Sequence, residues 1–344
     1  MRIVIRLFFL FLVVALSGML LSNFQGDEPL VVKQRLSVEC DSLRSAVVRL
    51  SGAVKEKKGD GQKEKALLEE CRLRYKRIEA FIKYFLPGDA RKLNRAAVMQ
   101  TVEDDEVTQY VPFSGFQYVE SLMYDDSAEF KRKEIRNAVD EIFMVVDKLP
   151  ESFRNLDIQE NHLWEAMQYE LVRQFMLGFT DFETPDSKAG PAESAAVLQG
   201  MKDIVLACYA HSEGEQRTQL NELYRLLDRS VAYMRNAHAP VNYFEYYTQY
   251  YNELSGQLGH TRDVVVTENN MYGQTALNLQ IRSVFDPHAF NSYFFVPGKN
   301  FAQPAAVADL GRTLFFDPAL SANNLRACAS CHQAGKALLA KLAA

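Results

Sequence analysis

Apolar side chains recur at alternating spacings of four and three along two early stretches of the chain. The first runs Leu36, Cys40, Leu43, Val47, Leu50, Val54, and the second runs Leu68, Cys71, Tyr75, Ile78, Ile82, Phe85. A repeat of 3.6 residues brings such positions onto one face, so each stretch reads as an amphipathic helix with a stripe to bury. Residues 55–65 between them are charged and hold Gly59 and Gly61, which makes the pair a helical hairpin. If the hairpin folds about those glycines, Cys40 lies opposite roughly residue 79, about 12 Å along the axis from Cys71. That is beyond disulfide reach, so both are expected as free thiols.

The helical pattern continues. Pro87-Gly88 stops the second helix, and residues 87–112 read as irregular, with Glu103–Glu106 as a solvated acidic loop. A short helix is expected over Ser114–Tyr124, and Ile135, Ala138, Ile142, Val146 and Leu149 mark a longer one closed by Pro150. The stretch from Ile158 to Thr180 is apolar on more than one face and carries the only tryptophan, Trp164, as a buried central helix would. Pro191 suits the first position of a helix reaching about Ala210. Leu220, Leu223, Leu227, Val231 and Met234 mark the next, and the tyrosine-rich Tyr243–Leu258 the last, with hydroxyls suited to a half-wet surface. No alternating strand pattern interrupts this run. The expected fold is all-α: an N-terminal helical bundle over residues 30–260, a linker over 261–303, and a separate C-terminal segment over 304–344 that starts with the helix Ala305–Phe316.

The first 25 residues stand apart. Arg2 and Arg6 precede Leu7–Leu21, a run without charge, in the layout of a signal peptide. Counted from Ile3, the run could instead serve as an N-terminal anchor in the inner membrane. Either reading exports the body of the protein to the periplasm or cell envelope. The net charge is −5, and no basic stretch is interleaved with aromatics, so nucleic acid is not an expected partner. The chain has no G-x-S-x-G, P-loop or G-x-G-x-x-G motif, which leaves hydrolase, nucleotide and flavin chemistry unsupported.

The chemistry-bearing motif lies near the other end, in Cys328-Ala329-Ser330-Cys331-His332. Two thiols three residues apart, followed at once by an imidazole, form the attachment signature of a c-type haem. The cysteines add to the two vinyl groups and fix the ring plane, which holds the histidine beneath the iron as its proximal ligand. The chain's own cysteine and histidine frequencies give about 0.001 chance matches, so the motif is specific. A competing reading joins the pair to Cys208 and His211 as a Cys3His zinc site, whereas Cys208 alone reads as a small buried hydrophobe. His162, Glu165 and Tyr169 share a helical face, and the histidine is expected to pair with a carboxylate rather than ligate metal. Glu170 lies well round the helix from Glu165 and does not converge with it. His238 reads as a helix-end residue, and His260, Met271 and His288 are weak candidates for a distal iron ligand.

The run Leu310-Gly311-Arg312-Thr313-Leu314-Phe315-Phe316-Asp317-Pro318-Ala319-Leu320-Ser321, followed by Ala327 and CASCH, resembles the di-haem cytochrome c peroxidase family over about residues 285–335. The resemblance implies two haem c groups in intact relatives, with hydrogen peroxide reduced at one. A small donor protein of the cytochrome c or cupredoxin type feeds electrons through the other. Cys328 and Cys331 would anchor the first haem and His332 would ligate its iron. After Gln333 the relatives continue to a distal ligand and a second CxxCH, whereas this chain runs Ala334 to Ala344, so a truncated copy is expected. The bundle more distantly resembles imelysin-like domains, whose G-x-H-x-x-E motif appears as Gly115-Phe116-Gln117-Tyr118-Val119-Glu120 with glutamine in place of histidine. Outside the resemblance, two further readings stand: a metal- or partner-binding bundle with a vestigial haem motif, and a mono-haem electron carrier.

Overall fold

The computed structural model describes residues 28–56, 61–96, 100–104, 107–210, 212–236, 241–266, 276–279, 281–291, 294 and 305–333. The hydrophobic N-terminal run, His211, His238 and Met271 lie outside these residues. The chain divides into a larger unit, Met1–Gly273 with Leu277–Phe290, and a smaller one, Gln274–Ala276 with Asn291–Ala344.

The larger unit is the helical bundle. Helices α1 (Glu28–Lys55) and α2 (Gly61–Phe85) form the expected hairpin. All six stripe residues of α1 are buried, as are those of α2 as far as Ile82. Arg49 pairs with Glu70 and Arg77 with Glu39, which fixes an antiparallel register. Cys40 is therefore level with the residues around 77, about 9 Å along the axis from Cys71. No disulfide forms between them. Burial pushes the Cys71 thiol up to about 12, helped by Glu70, and raises that of Cys40 as well.

Pro87 ends α2 and opens a short helix, α3 (Pro87–Leu93), in a region expected to be irregular. Beyond it, β1 (Gln100–Asp104) pairs antiparallel with β2 (Val107–Val111), Gln100 opposite Val111 and Asp104 opposite Val107. Glu103 and Asp104 of the acidic stretch thus belong to β1 instead of an open loop. Thr101, Val102, Val107, Thr108 and Val111 supply the β-branched residues that favour strands. Next come α4 (Phe116–Tyr124), α5 (Arg132–Val146), α6 (Leu149–Asn155) and α7 (Glu160–Met176). Pro150 opens α6 instead of closing α5, because a proline in the first turn forfeits no intrahelical hydrogen bond. Helix α7 is the buried central helix expected, with Trp164 fully enclosed.

Helices α8 (Gly190–Tyr209) and α9 (Gly214–Asn236) make a second hairpin. A final helical run comprises α10 (Tyr243–Tyr246), a π turn at Tyr247–Tyr251, and α11 (Asn252–Val265). Its tyrosines are divided: Tyr246 and Tyr251 are buried, Tyr247 and Tyr250 half-buried, and Tyr243 exposed. Part of the stretch expected as linker belongs to the bundle. Leu277, Leu279, Ile281 and Ala289 pack with Tyr169 and Val172 of α7. The Leu279 carbonyl accepts from Gln168 (3.2 Å) and Arg262 (2.6 Å).

Helix α2 sits at the centre, packing against α1, α7 and α8. A Cβ at Gly200 of α8 would overlap the Arg77 carbonyl of α2, so only glycine permits this approach. One turn on, Asp203 meets the Arg77 guanidinium at 2.5 Å, and Glu39 of α1 meets it at 3.1 Å. Gly200→Ala forces over-packing at that crossing and is expected to cost about 1–3 kcal/mol, read as a lower midpoint in urea unfolding. An unchanged midpoint would count against the close approach.

Where α2 faces α7 and α8, the interior is ionic. Lys76, 1% exposed, is held by Glu79 at 2.8 Å and Glu183 at 2.5 Å. Arg173 of α7 reaches Glu79 (2.5 Å) and Glu183 (2.8 Å) and also pairs with Glu170. Arg72 pairs with Glu193 of α8 and lies 3.5 Å from Glu120 of α4. Asn94 donates to Glu79 at 3.0 Å and Glu183 at 3.1 Å.

Burial opposes the ionisation of Glu183, but Lys76 and Arg173 outweigh it and hold its carboxyl well below the usual range. Glu79 is lowered in the same way, with Arg173 the stronger partner. Glu120 differs. Burial raises it, and Arg72 only partly offsets that. Replacing Glu183 by Ala removes a carboxylate that Lys76 and Arg173 share, although Glu79 still serves both, and is expected to cost about 1–3 kcal/mol in denaturant unfolding. A carboxyl lowered by folding stabilises fully above its unfolded value, about 4.3, and less as pH falls below it. The stability gap between the wild type and Glu183→Gln should therefore narrow between about pH 5 and pH 3. A gap that stays constant with pH would exclude an ionised Glu183.

Candidate haem-attachment segment

The smaller unit carries the motif. Helix α12 (Ala305–Phe316) matches the expected boundaries. Asp317 ends it: its carboxylate accepts from the Ala319 N–H at 2.8 Å and caps the 3-10 turn Pro318–Leu320. Ser321 then ties the next loop together. Its hydroxyl donates to the Pro318 carbonyl (2.9 Å) and accepts from the Arg326 N–H (3.3 Å). Asn324 adopts φ 51°, a left-handed conformation that asparagine tolerates better than most residues. The Asp-Pro and Leu-Ser elements of the sequence pattern are thus the turn formers that aim the chain into the cysteines.

Cys328–Cys331 form one helical turn, α13. The Ser330 hydroxyl accepts from the Ala327 N–H at 3.1 Å, which starts the turn, and the His332 N–H donates to the Cys328 carbonyl at 2.9 Å, which ends it. Residues three apart lie about 60° from one another round a helix, so both sulfurs leave the same side. Cys328, Cys331 and His332 are all exposed.

No residue of α12 or α13 is buried. Leu310 is 56% exposed, Phe316 61% and Leu325 77%, so the segment presents apolar side chains that its described residues do not cover. This arrangement fits a flat, largely apolar ring joined through two thioethers. The thiols are accessible and correctly spaced, an imidazole follows, and oily side chains stand beside them.

The other candidates are put to use by the bundle. Gly115 has φ 86°, and a Cβ there would overlap the Leu93 carbonyl, so its role is conformational. Gln117 donates to the Phe182 carbonyl at 2.9 Å, and Glu120 accepts from the Ser187 N–H at 2.8 Å. The His162 ring accepts from the Gln159 N–H at 3.3 Å at the start of α7, while Glu165 accepts from Tyr84 at 2.6 Å. Glu170, turned away from Glu165, joins the ionic interior. Cys208 is buried in α8, and His260 and His288 are exposed. Among the described residues, no three His, Cys, Asp or Glu side chains are grouped to hold a metal ion. No described helix is long and apolar enough to cross a membrane. The ionic interior is the feature that sequence reading missed. Its signal was present as Arg72, Lys76 and Glu79, charges at spacings that share a face with the apolar stripe of α2.

No curated protein matches the chain. Residues 305–343 match the sequence profile of the family described as di-haem cytochrome c peroxidase. The match starts where α12 starts, includes both cysteines and His332, and runs on past Gln333, where the sequence reading placed the divergence. Over this C-terminal segment, the chain is similar to di-haem cytochrome c peroxidases.

Proposed function

We propose that the chain is an exported c-type haem protein of the cytochrome c peroxidase type. Cys328 and Cys331 attach the haem covalently, and His332 ligates its iron. The carrying observation is the single exposed turn that presents both thiols and the imidazole beside uncovered apolar side chains.

When bound, the haem supplies iron redox chemistry, and the iron's potential follows from its axial ligands and its burial. The residues' own contribution is positional. The Ser330 and Cys328 hydrogen bonds hold the turn, so that Cys328 and Cys331 would hold a haem through thioethers with His332 next to them as the iron ligand. The exposed apolar side chains of α12 would exclude water from a ring held there. The overall reaction takes two electrons and two protons to convert hydrogen peroxide to two waters, the electrons coming from a small donor of the cytochrome c or cupredoxin type. The N-terminal run directs export, since covalent haem attachment belongs outside the cytoplasm.

Expression of the full chain with a haem-maturation system tests the assignment. The wild type should carry haem through denaturing electrophoresis, with the corresponding mass increment. Cys328→Ser/Cys331→Ser should lose both signals, and His332→Ala should alter the reduced absorption spectrum of whatever haem it retains. A wild-type polypeptide of unmodified mass, from cells that mature a control cytochrome, would refute it.

A further inference from the structure

The bundle has a cleft of about 480 Å3, lined by Lys83, Pro87, Ala90, Arg91, Asn94, Arg95 and Ala96. Its volume is in the range of small-molecule sites. Three of its seven lining residues are cations and none is an acid. We propose that this cleft binds a small multivalent oxyanion, a carboxylate or phosphate compound, with Arg91 and Arg95 as its principal partners.

The three cations are committed to different degrees. Lys83 is half-buried and lies 3.6 Å from Glu79, at the edge of the ionic interior. That interior holds five carboxylates (Glu79, Glu120, Glu170, Glu183, Glu193) against the three enclosed cations Arg72, Lys76 and Arg173. Lys83 therefore serves as a counter-ion, and its charge is partly spent. Arg95 is half-buried, and its guanidinium donates to the Pro112 carbonyl at 3.3 Å, a contact that orients the group without neutralising it. Arg91, exposed on α3, makes no ion pair among the described residues.

Two arginines, each able to offer a planar fork of N–H donors, thus line one cleft, and neither makes an ion pair among the described residues. That is the geometry in which arginine recognises carboxylate and phosphate. Behind them, Asn94 has both amide hydrogens committed to Glu79 and Glu183, which fixes the floor. Pro87 and Ala90 give it an apolar wall. A single carboxylate would satisfy one arginine; an anion with two or more oxyanion groups spans both.

Calorimetric titration of the full chain at fixed ionic strength, with citrate in one arm and inorganic pyrophosphate in the other, tests this. At least one probe should bind with one molecule per chain, and Arg91→Ala/Arg95→Ala should weaken that binding tenfold or more. Lys92→Ala removes a neighbouring charge of the same helix that does not line the cleft, and should change it less than twofold. Arg91→Ala alone, which leaves the Pro112 contact intact, should show a partial loss and guards against misfolding of the double variant. Binding of citrate alone assigns carboxylate chemistry, binding of pyrophosphate alone assigns phosphate, and binding of both supports the shared chemistry. Failure of both probes to bind would overturn the proposal, as would equal weakening by Lys92→Ala.

Discussion

A lysine ammonium enclosed between Glu79 and Glu183 sets the terms for the rest of the bundle. Removing such a charge from water costs several kcal/mol, and only well-placed opposite charges and hydrogen bonds offset it. Those partners come from separate parts of the chain. Glu79 is on α2, Arg173 on α7, Glu183 in the segment leading to α8, and Glu193 on α8. A slip of α7 by one turn, about 5.4 Å, would take Arg173 away from Glu79 and Glu183 and leave Glu183 with one cation fewer. Apolar stripes alone tolerate slips of that kind, because one leucine packs much like another. The ionic interior therefore acts on register more than on net stability. Gly200 and the Arg77 cluster do the same for the crossing of α8 over α2.

The smaller unit has the opposite economy. Its described residues hold no buried side chain, and its order comes from short-range hydrogen bonds through Asp317, Ser321 and Ser330. Such local bonds shape a turn but are worth only about 1 kcal/mol each. Hydrophobic burial is what makes a segment of this size persist, and here the apolar side chains of α12 still need a surface to cover. A porphyrin held by two thioethers would meet that need from within the same segment. The attachment turn and the oily helix are then two parts of one requirement.

Much of the bundle was legible in the sequence because helical periodicity is a strong signal. The stripe beginning at Leu36 is buried as read and the one beginning at Leu68 as far as Ile82, and α8 and α12 begin and end within a residue or so of expectation. What escaped was decided by less periodic rules. Charge dominated the reading of residues 100–111, although their β-branched residues favour the hairpin that forms. Pro150 reads equally well as the end of one helix or the start of the next, and the two differ only in tertiary packing. Asn and Pro punctuation suggested a linker over 261–303, yet Leu277, Leu279 and Ile281 still found α7 to pack on. Buried ion pairs are the hardest to foresee. A lysine on a helix looks solvated until carboxylates distant in sequence arrive beside it.

The five cysteines show how far local environment separates residues of one kind. Cys40, Cys71 and Cys208 are enclosed by helices, and burial keeps the thiols of Cys40 and Cys71 protonated and unreactive. Cys328 and Cys331 stand in the open on one short turn. Attachment chemistry needs thiols that an external enzyme and a large planar ring can both reach, and that remain apart from competing thiols. Three sulfurs locked in a core cannot divert the ring or exchange disulfides with the exposed pair. A ring joined to that pair could then draw the apolar side chains of α12 over itself, so that accessibility comes first and burial after.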